Sequence, residues 1–266
     1  MKGTHWIQKL TFLMAGVGAI IVVGIVGINT LTTVSPSDDE TIAVPAPSEV
    51  TEREIVGYNP EQPTEDSASA IDQRIEMITL AGGCFWCIEA VLQETPGVID
   101  AVSGYSGGSA QTANYLAVAG GRTEHREVVQ ITYDANQVSL TEILNTFWSA
   151  IDPTDAGGQF ADRGFQYTTA IYYHADTQQA VANASKQSLQ ASGLVDGQIA
   201  TVILPYSNFF VAEDYHQDYY QKSAEHYKRY ERGSGRAGFV EETWARDAAI
   251  VYFEEQKQAA ADESAP

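Results

Sequence analysis

Ile75-Glu76-Met77-Ile78-Thr79-Leu80-Ala81-Gly82-Gly83-Cys84-Phe85-Trp86-Cys87-Ile88-Glu89-Ala90-Val91-Leu92-Gln93 holds both cysteines of the chain, and the rest of the sequence is read outward from it. Apolar Ile75 to Leu80 reads as a strand. Ile88 to Gln93 reads as a helix that stops before Pro96-Gly97. The thiols therefore fall at a strand-to-helix turn, where glycines let the backbone bend tightly. The start of a helix carries unpaired N–H groups and a partial positive charge. A thiol placed there is expected to ionise more easily than a free cysteine, as a nucleophile requires.

Downstream, Val98 to Tyr105 alternates like a strand, Ala113 to Ala119 suits a short helix, and Glu127 to Tyr133 reads as a strand with Val129, Ile131 and Tyr133 on one face. Ser139-Leu140-Thr141-Glu142 is a capping box; Ile143, Leu144, Phe147 and Trp148 give the helix behind it an apolar face. Thr154 to Tyr167 is a long polar loop, a length often tied to function. Thr168 to His174 is a strand, Asp176 caps a helix ended by Gly193, Ile199 to Leu204 is a strand, and Ala212 to about Arg229 is helical. The stretch after Trp244 is expected to fray. Strands alternating with helices give a mixed α/β class, one sheet with helices packed against it.

The 266 residues carry a formal net charge of −20. Much of it lies in flanks, with 11 acidic against 2 basic side chains over 35–76 and 7 against 2 over 241–266. That balance argues against nucleic-acid binding, which needs a basic face. Lys2 and Lys9 precede an uncharged run whose Leu10–Ile28 core, roughly 19 residues, is about long enough to span a bilayer. The expected organisation is a signal anchor at 1–34, a flexible acidic Pro-containing linker at 35–74, a catalytic domain at 75–245 and an acidic tail at 246–266. A positive flank before the anchor and an acidic one after it place the catalytic part outside the cytoplasm, tethered to the membrane. Secretion after cleavage is the alternative.

Cys84-x-x-Cys87 admits several chemistries. A zinc site would need four ligands, and the histidines lack a paired spacing. A dithiol pair of thioredoxin type, a static disulfide and a single nucleophile at Cys84 all remain open on spacing alone.

Gly83-Cys84-Phe85-Trp86, Gly104-Tyr105-Ser106-Gly107-Gly108, Tyr115, Gly121 through Val129, Asp162-Arg163-Gly164-Phe165-Gln166-Tyr167 and Ala212 through Gln217 follow one another in an order that resembles peptide methionine sulfoxide reductase A. The resemblance covers most of 77–230. It implies a ferredoxin-like α/β sandwich with one mixed sheet and long surrounding coil. It also implies reduction of the S-epimer of methionine sulfoxide, free or in proteins. In that reading Cys84 attacks the sulfoxide sulfur and becomes a sulfenic acid, Glu127 supplies a proton, and Tyr115 and Tyr167 hydrogen-bond the oxygen. Asp162 anchors the substrate, and Phe85 and Trp86 hold its methyl group. No metal or cofactor is implied, only an external thioredoxin-like reductant. His125 and Arg122 are read as organising their loop, and His216, Glu213 and Asp214 as packing the C-terminal helix.

Three departures mark the chain within that family. It has no cysteine after Cys87, position 87 is Cys where Gly is common, and Ser109 to Ala113 lacks a Pro-Asn-Pro. Cys87 is accordingly expected to resolve the Cys84 sulfenic acid as a Cys84–Cys87 disulfide. The competing enzyme reading is a thioredoxin-like disulfide oxidoreductase using the same two thiols.

Overall fold

The structure, a computed structural model, describes residues 74–264. The anchor expected at 1–34 and nearly all of the linker lie outside the described residues. Among those described, no helix is long and apolar enough to cross a membrane.

The first half of the domain runs β1 (Ile75–Ala81), α1 (Phe85–Gln93), β2 (Val98–Ser106), α2 (Tyr115–Ala119), β3 (Arg126–Asp134) and α3 (Leu140–Trp148). The second runs β4 (Gly158–Gln159), β5 (Asp162–Arg163), β6 (Ala170–Tyr173), α4 (Asp176–Ser192), β7 (Val202–Pro205), β8 (Phe210–Val211), α5 (Tyr219–Lys222), α6 (Ala224–Gly233), α7 (Arg236–Trp244) and α8 (Asp247–Ser264). Six strands form one sheet in the order β7-β6-β1-β3-β2-β8. The central β6-β1-β3-β2 strands are antiparallel, with α1 between β1 and β2 and α3 between β3 and β6. This is the ferredoxin-like arrangement, and the parallel β6–β7 pair makes the sheet mixed.

Period-two alternation decides which β3 side chains go inside. Val129, Ile131 and Tyr133 are fully buried beneath α1 and α3 with Ile78, Leu80, Ile88, Leu92, Phe147 and Trp148. Each such aliphatic side chain contributes roughly 1.5–3 kcal/mol on burial. The same parity carries Glu127 inward at the end of the strand, where it is 2 % exposed. The opposite face is smaller, with Val128, Ala170 and Tyr172 packed beside Leu204 and Phe209. The capping box at α3 forms as expected, Ser139 and Glu142 each bonding the other's backbone.

Several local expectations are corrected. Asp176 is the first helical residue of α4 and not its cap, a position where a carboxylate still meets the positive helix end. Residues 213–218 form turns instead of the start of a long helix. Gln217 bonds both the amide and carbonyl of Ser103, and Asp218, at φ 53°, donates its amide to Glu89, so these groups are held by β2 and α1. The 154–167 loop contains the β4–β5 hairpin, pinned where the Gln159 side chain bonds Asp152. Beyond Trp244 the chain is helical as α8. There Ala249 is fully buried, Phe253 packs on Trp244, and Tyr252 donates to Ser188 of α4.

Candidate active site

Cys84 occupies the N-cap of α1, as its sequence context predicts, with Cys87 one turn on, its amide bonded to the Cys84 carbonyl. Both thiols are free and buried. The turn before them depends on Gly83, which sits at φ +86°; a Cβ there would lie 2.6 Å from Gln159 Cβ and 2.9 Å from Arg236 Nη2. Side chains are therefore excluded both by conformation and by close neighbours.

Glu127 faces the same turn from β3, its Oε2 accepting the Phe85 amide at 3.1 Å. Burial, reinforced by the charges of Asp162 and Cys87, raises its pKa to about 8, against the pull of that hydrogen bond. The carboxyl therefore keeps its proton at neutral pH. Tyr115 opens α2, whose N-cap Asn114 accepts the Ala117 amide; the Tyr115 amide donates to Glu213 at 2.9 Å. Tyr167 ends a short 3₁₀ turn over 165–167. Burial first, and then the charge of Glu127, push both phenols up, so each remains a donor. Asp162, on β5, accepts the Tyr230 hydroxyl, and burial raises its pKa as well.

Tyr115 and Tyr167 each feel the charges of Glu127, Cys84 and Asp162, so these five side chains lie within electrostatic reach of one another. Phe85 is 1 % exposed and meets the His216 ring at a tilt, with ring centroids 4.9 Å apart. Trp86 donates through Nε1 to His216 Nδ1 at 3.1 Å, is stacked by Tyr219 at 3.9 Å and is met edge-on by Tyr230.

One expectation is overturned. Position at the helix start does not leave Cys84 more acidic than a free cysteine. Burial pushes it well up, and the contact with Cys87 and the charge of Glu127 act the same way. Cys87 moves down instead, chiefly through the Cys84 hydrogen bond, which outweighs its own burial.

Other residues had been read as packing or overlooked. His125 does organise its loop, accepting the Gly108 amide at Nδ1 and bonding the Ser109 carbonyl through Nε2. Glu213 accepts both the Tyr105 hydroxyl at 2.8 Å and the Tyr115 amide, fixing the tyrosine's helix against β2. His216, read as packing the C-terminal helix, is 1 % exposed and braces Phe85, Trp86 and Tyr115. From α6, Tyr227 packs with Cys84 and Cys87 and Tyr230 packs against that cluster; Tyr230 donates its hydroxyl to Asp162 and Tyr227 donates its to Glu231 at 3.4 Å, while Arg236 of α7 bonds the Gly82 carbonyl two residues before Cys84. The Tyr-x-x-Tyr spacing of Tyr227 and Tyr230, which puts both on one helical face, was the available signal.

The family model for peptide methionine sulfoxide reductase matches residues 76–248. The peptide methionine sulfoxide reductase MsrA of Bacillus subtilis is 49% identical over 174 residues, 65% of this chain and 98% of that protein. Among solved structures, the reduced form of Mxr1 from Saccharomyces cerevisiae aligns with a TM-score of 0.53 and 32% identity, covering 57% of this chain and 87% of that one. Methionine sulfoxide reductase A of Corynebacterium diphtheriae aligns with a TM-score of 0.50 and 34% identity, covering 56% and 76%. With its pocket residues inside the matched span, the chain belongs to the MsrA family and is a peptide-methionine sulfoxide reductase.

Proposed function

We propose that the pocket reduces the S-epimer of methionine sulfoxide, free or within proteins, through nucleophilic attack by Cys84. The observation that carries this reading is a buried, protonated carboxyl, Glu127, hydrogen-bonded to the residue next to the nucleophile. Sulfoxide sulfur becomes electrophilic as its oxygen gains a proton, so thiol and acid must act together. As the Cys84 sulfur attacks, its own proton passes to Cys87, and Glu127 protonates the sulfoxide oxygen. Tyr115 and Tyr167 hold that oxygen by hydrogen bonds. The S–O bond breaks with its electron pair on the protonated oxygen, which passes as hydroxyl to the Cys84 sulfur, and methionine leaves with the electron pair of the transient Cys84–methionine S–S bond, so that Cys84 becomes a sulfenic acid. Asp162 anchors the substrate, while Phe85 and Trp86 receive its S-methyl group.

Cys87 then attacks the sulfenic sulfur. The S–S bond forms, the S–O bond breaks, and hydroxide leaves as water with a proton from the site. A thioredoxin-like dithiol outside the chain reduces the disulfide, and no cofactor takes part. A thioredoxin-like disulfide oxidoreductase would use the same thiol pair but would leave Glu127, Tyr115 and Tyr167 idle. The test is turnover of the separated sulfoxide epimers beside reduction of a protein disulfide. Activity on the S-epimer is expected, and its absence, or full activity after Cys84→Ser, would sink the reading.

The domain at 75–245 is proposed to work outside the cytoplasm, tethered to a membrane by the uncharged run within 1–34. The uncharged run between Lys9 and the acidic linker supports this. Recovery of the full chain in the aqueous phase after membrane partitioning would count against it.

A further inference from the structure

Three large apolar side chains left open to solvent are Leu116 at 86 % exposed, Tyr215 at 58 % and Phe165 at 45 %. They belong to three segments that each also supply a residue forming or bracing the pocket. Leu116 follows Tyr115 on α2, Tyr215 precedes His216 in the 213–218 turns, and Phe165 opens the 3₁₀ turn that Tyr167 closes. Cα atoms one or two positions apart are separated by at most about 7 Å, so each of the three is rooted close to a pocket residue. The segments are also tied to one another. The Tyr115 and Tyr215 rings both pack on the His216 ring, at centroid distances of 4.5 and 4.1 Å. Glu213 accepts the Tyr115 amide at 2.9 Å, and Gln166 donates to the Ala119 carbonyl at 3.3 Å. A surface helix ordinarily turns polar residues outward. Helix α2 reads Tyr-Leu-Ala-Val-Ala, with no charged side chain, although only Val118 is buried. Phe165 has one ring face under the Arg126 guanidinium at 4.3 Å and is still nearly half exposed.

We propose that Leu116, Phe165 and Tyr215 form a docking rim for the chain on either side of the oxidised methionine, which makes the preferred substrate an extended, locally unfolded protein segment with apolar flanking residues. The inference rests on the pocket taking a methionine sulfoxide side chain. Continuity with that pocket names the occupant. Cys84 is buried, so the sulfoxide must enter by nearly its full side-chain length, and the backbone carrying it then lies across the mouth. In an extended segment successive side chains alternate sides, and residues two apart are spaced by roughly 7 Å. The side chains two positions before and after the methionine therefore point the same way as it does, toward the rim. Its immediate neighbours point to solvent. Apolar side chains at those second positions would take Leu116 and its companions out of water along with themselves. The formal net charge of −20 disfavours an anionic lipid surface as the occupant.

The test is steady-state kinetics of the full chain on end-blocked pentapeptides with a central S-epimer methionine sulfoxide. One peptide carries leucine two positions away on both sides, one carries leucine at the adjacent positions, and one is serine throughout. kcat/KM is expected to be about tenfold higher with leucine at the second positions than with serine, the order expected for burying one aliphatic side chain. Leucine at the adjacent positions should bring no such gain. Leu116→Gln, at a position open enough to spare the fold, should remove most of the advantage, and Leu116→Gln with Phe165→Gln should remove more. Equal kcat/KM for the three peptides overturns the proposal, as does an equal gain from adjacent leucines. An advantage unchanged in both variants also overturns it. Free S-epimer methionine sulfoxide, which has no flanks, separates the underlying reading. Its turnover beside peptide rates that ignore the flanks sinks the rim alone, whereas no turnover of any sulfoxide sinks the pocket reading. If sedimentation finds the wild-type chain paired and Leu116→Gln single, with the flank preference intact, the rim belongs to a second copy and the proposal fails.

Discussion

On one side of the thiols, β3 brings Glu127 against the start of α1, and the β4–β5 hairpin adds Asp162. On the other, α6 and α7 bring Tyr227, Tyr230 and Arg236. The first wall is acidic and dry, and it opposes ionisation of Cys84. The second offers hydroxyl donors and a cation, and it favours ionisation of Cys87. Two cysteines three positions apart on one helix start thus have opposite tendencies: burial raises both, and their mutual interaction raises Cys84 while it lowers Cys87. A helix N-terminus alone would favour both thiolates alike; their contact with each other separates them.

The largest effect should come from the nucleophile. Cys84→Ser is expected to release no methionine from the S-epimer in single-turnover quench experiments, and any stoichiometric release would undo the division of labour. Glu127→Gln should come next, lowering the rate of sulfoxide reduction by about 10²–10⁴-fold, the range for loss of a general acid. The wild-type rate should fall as pH rises through about 8, where Glu127 loses its proton. A pH–rate profile that keeps this limb in the Gln variant would assign it to another group.

The two α6 hydroxyls sharpen the comparison further. Tyr230→Phe, which removes the donor to Asp162, should slow methionine release, and Tyr227→Phe should slow disulfide closure, each roughly tenfold, about the worth of one hydrogen bond. Rapid-quench sampling of both products distinguishes them; equal effects of both variants on both steps would erase the distinction.

A smaller effect appears in stability. The Glu127 pKa rises from an ordinary 4.5 to about 8 on folding because burial disfavours its charged form. Its folded pKa lies above the unfolded one, so the protonated form's contribution is complete below about 4.5 and is lost as pH climbs through about 8. Denaturant titrations from pH 5 to 9 should show a shallower decline in Glu127→Gln. Glu89, held up to about 7 mainly by burial, should leave a residual slope in both proteins. The smallest change is Ser139→Ala at the α3 cap, far from either wall, costing about 1 kcal/mol with activity per folded molecule retained.

The central strands were legible because period-two alternation and turn residues are local signals, and β1, β2 and β3 follow them closely. The α3 capping box was legible for the same reason, since its two partners are three residues apart. The 213–218 turns and α8 were not, because what holds them lies far away in sequence. Gln217 bonds Ser103, Asp218 bonds Glu89, and Tyr252 bonds Ser188. Propensity carries no information about such partners.

The sequence by itself determined the identities and order of Cys84, Tyr115, Glu127, Asp162 and Tyr167, and placed Cys84 at the start of a helix. Tertiary structure decided their protonation. Burial and distant charges set a pKa, and both depend on which segments fold over the thiols. Glu127 could have been a solvated strand end; inward parity and the covering helices make it a buried acid. Cys84 could have been an easily ionised thiol at a helix start; burial, with Cys87 and Glu127 beside it, pushes it up instead.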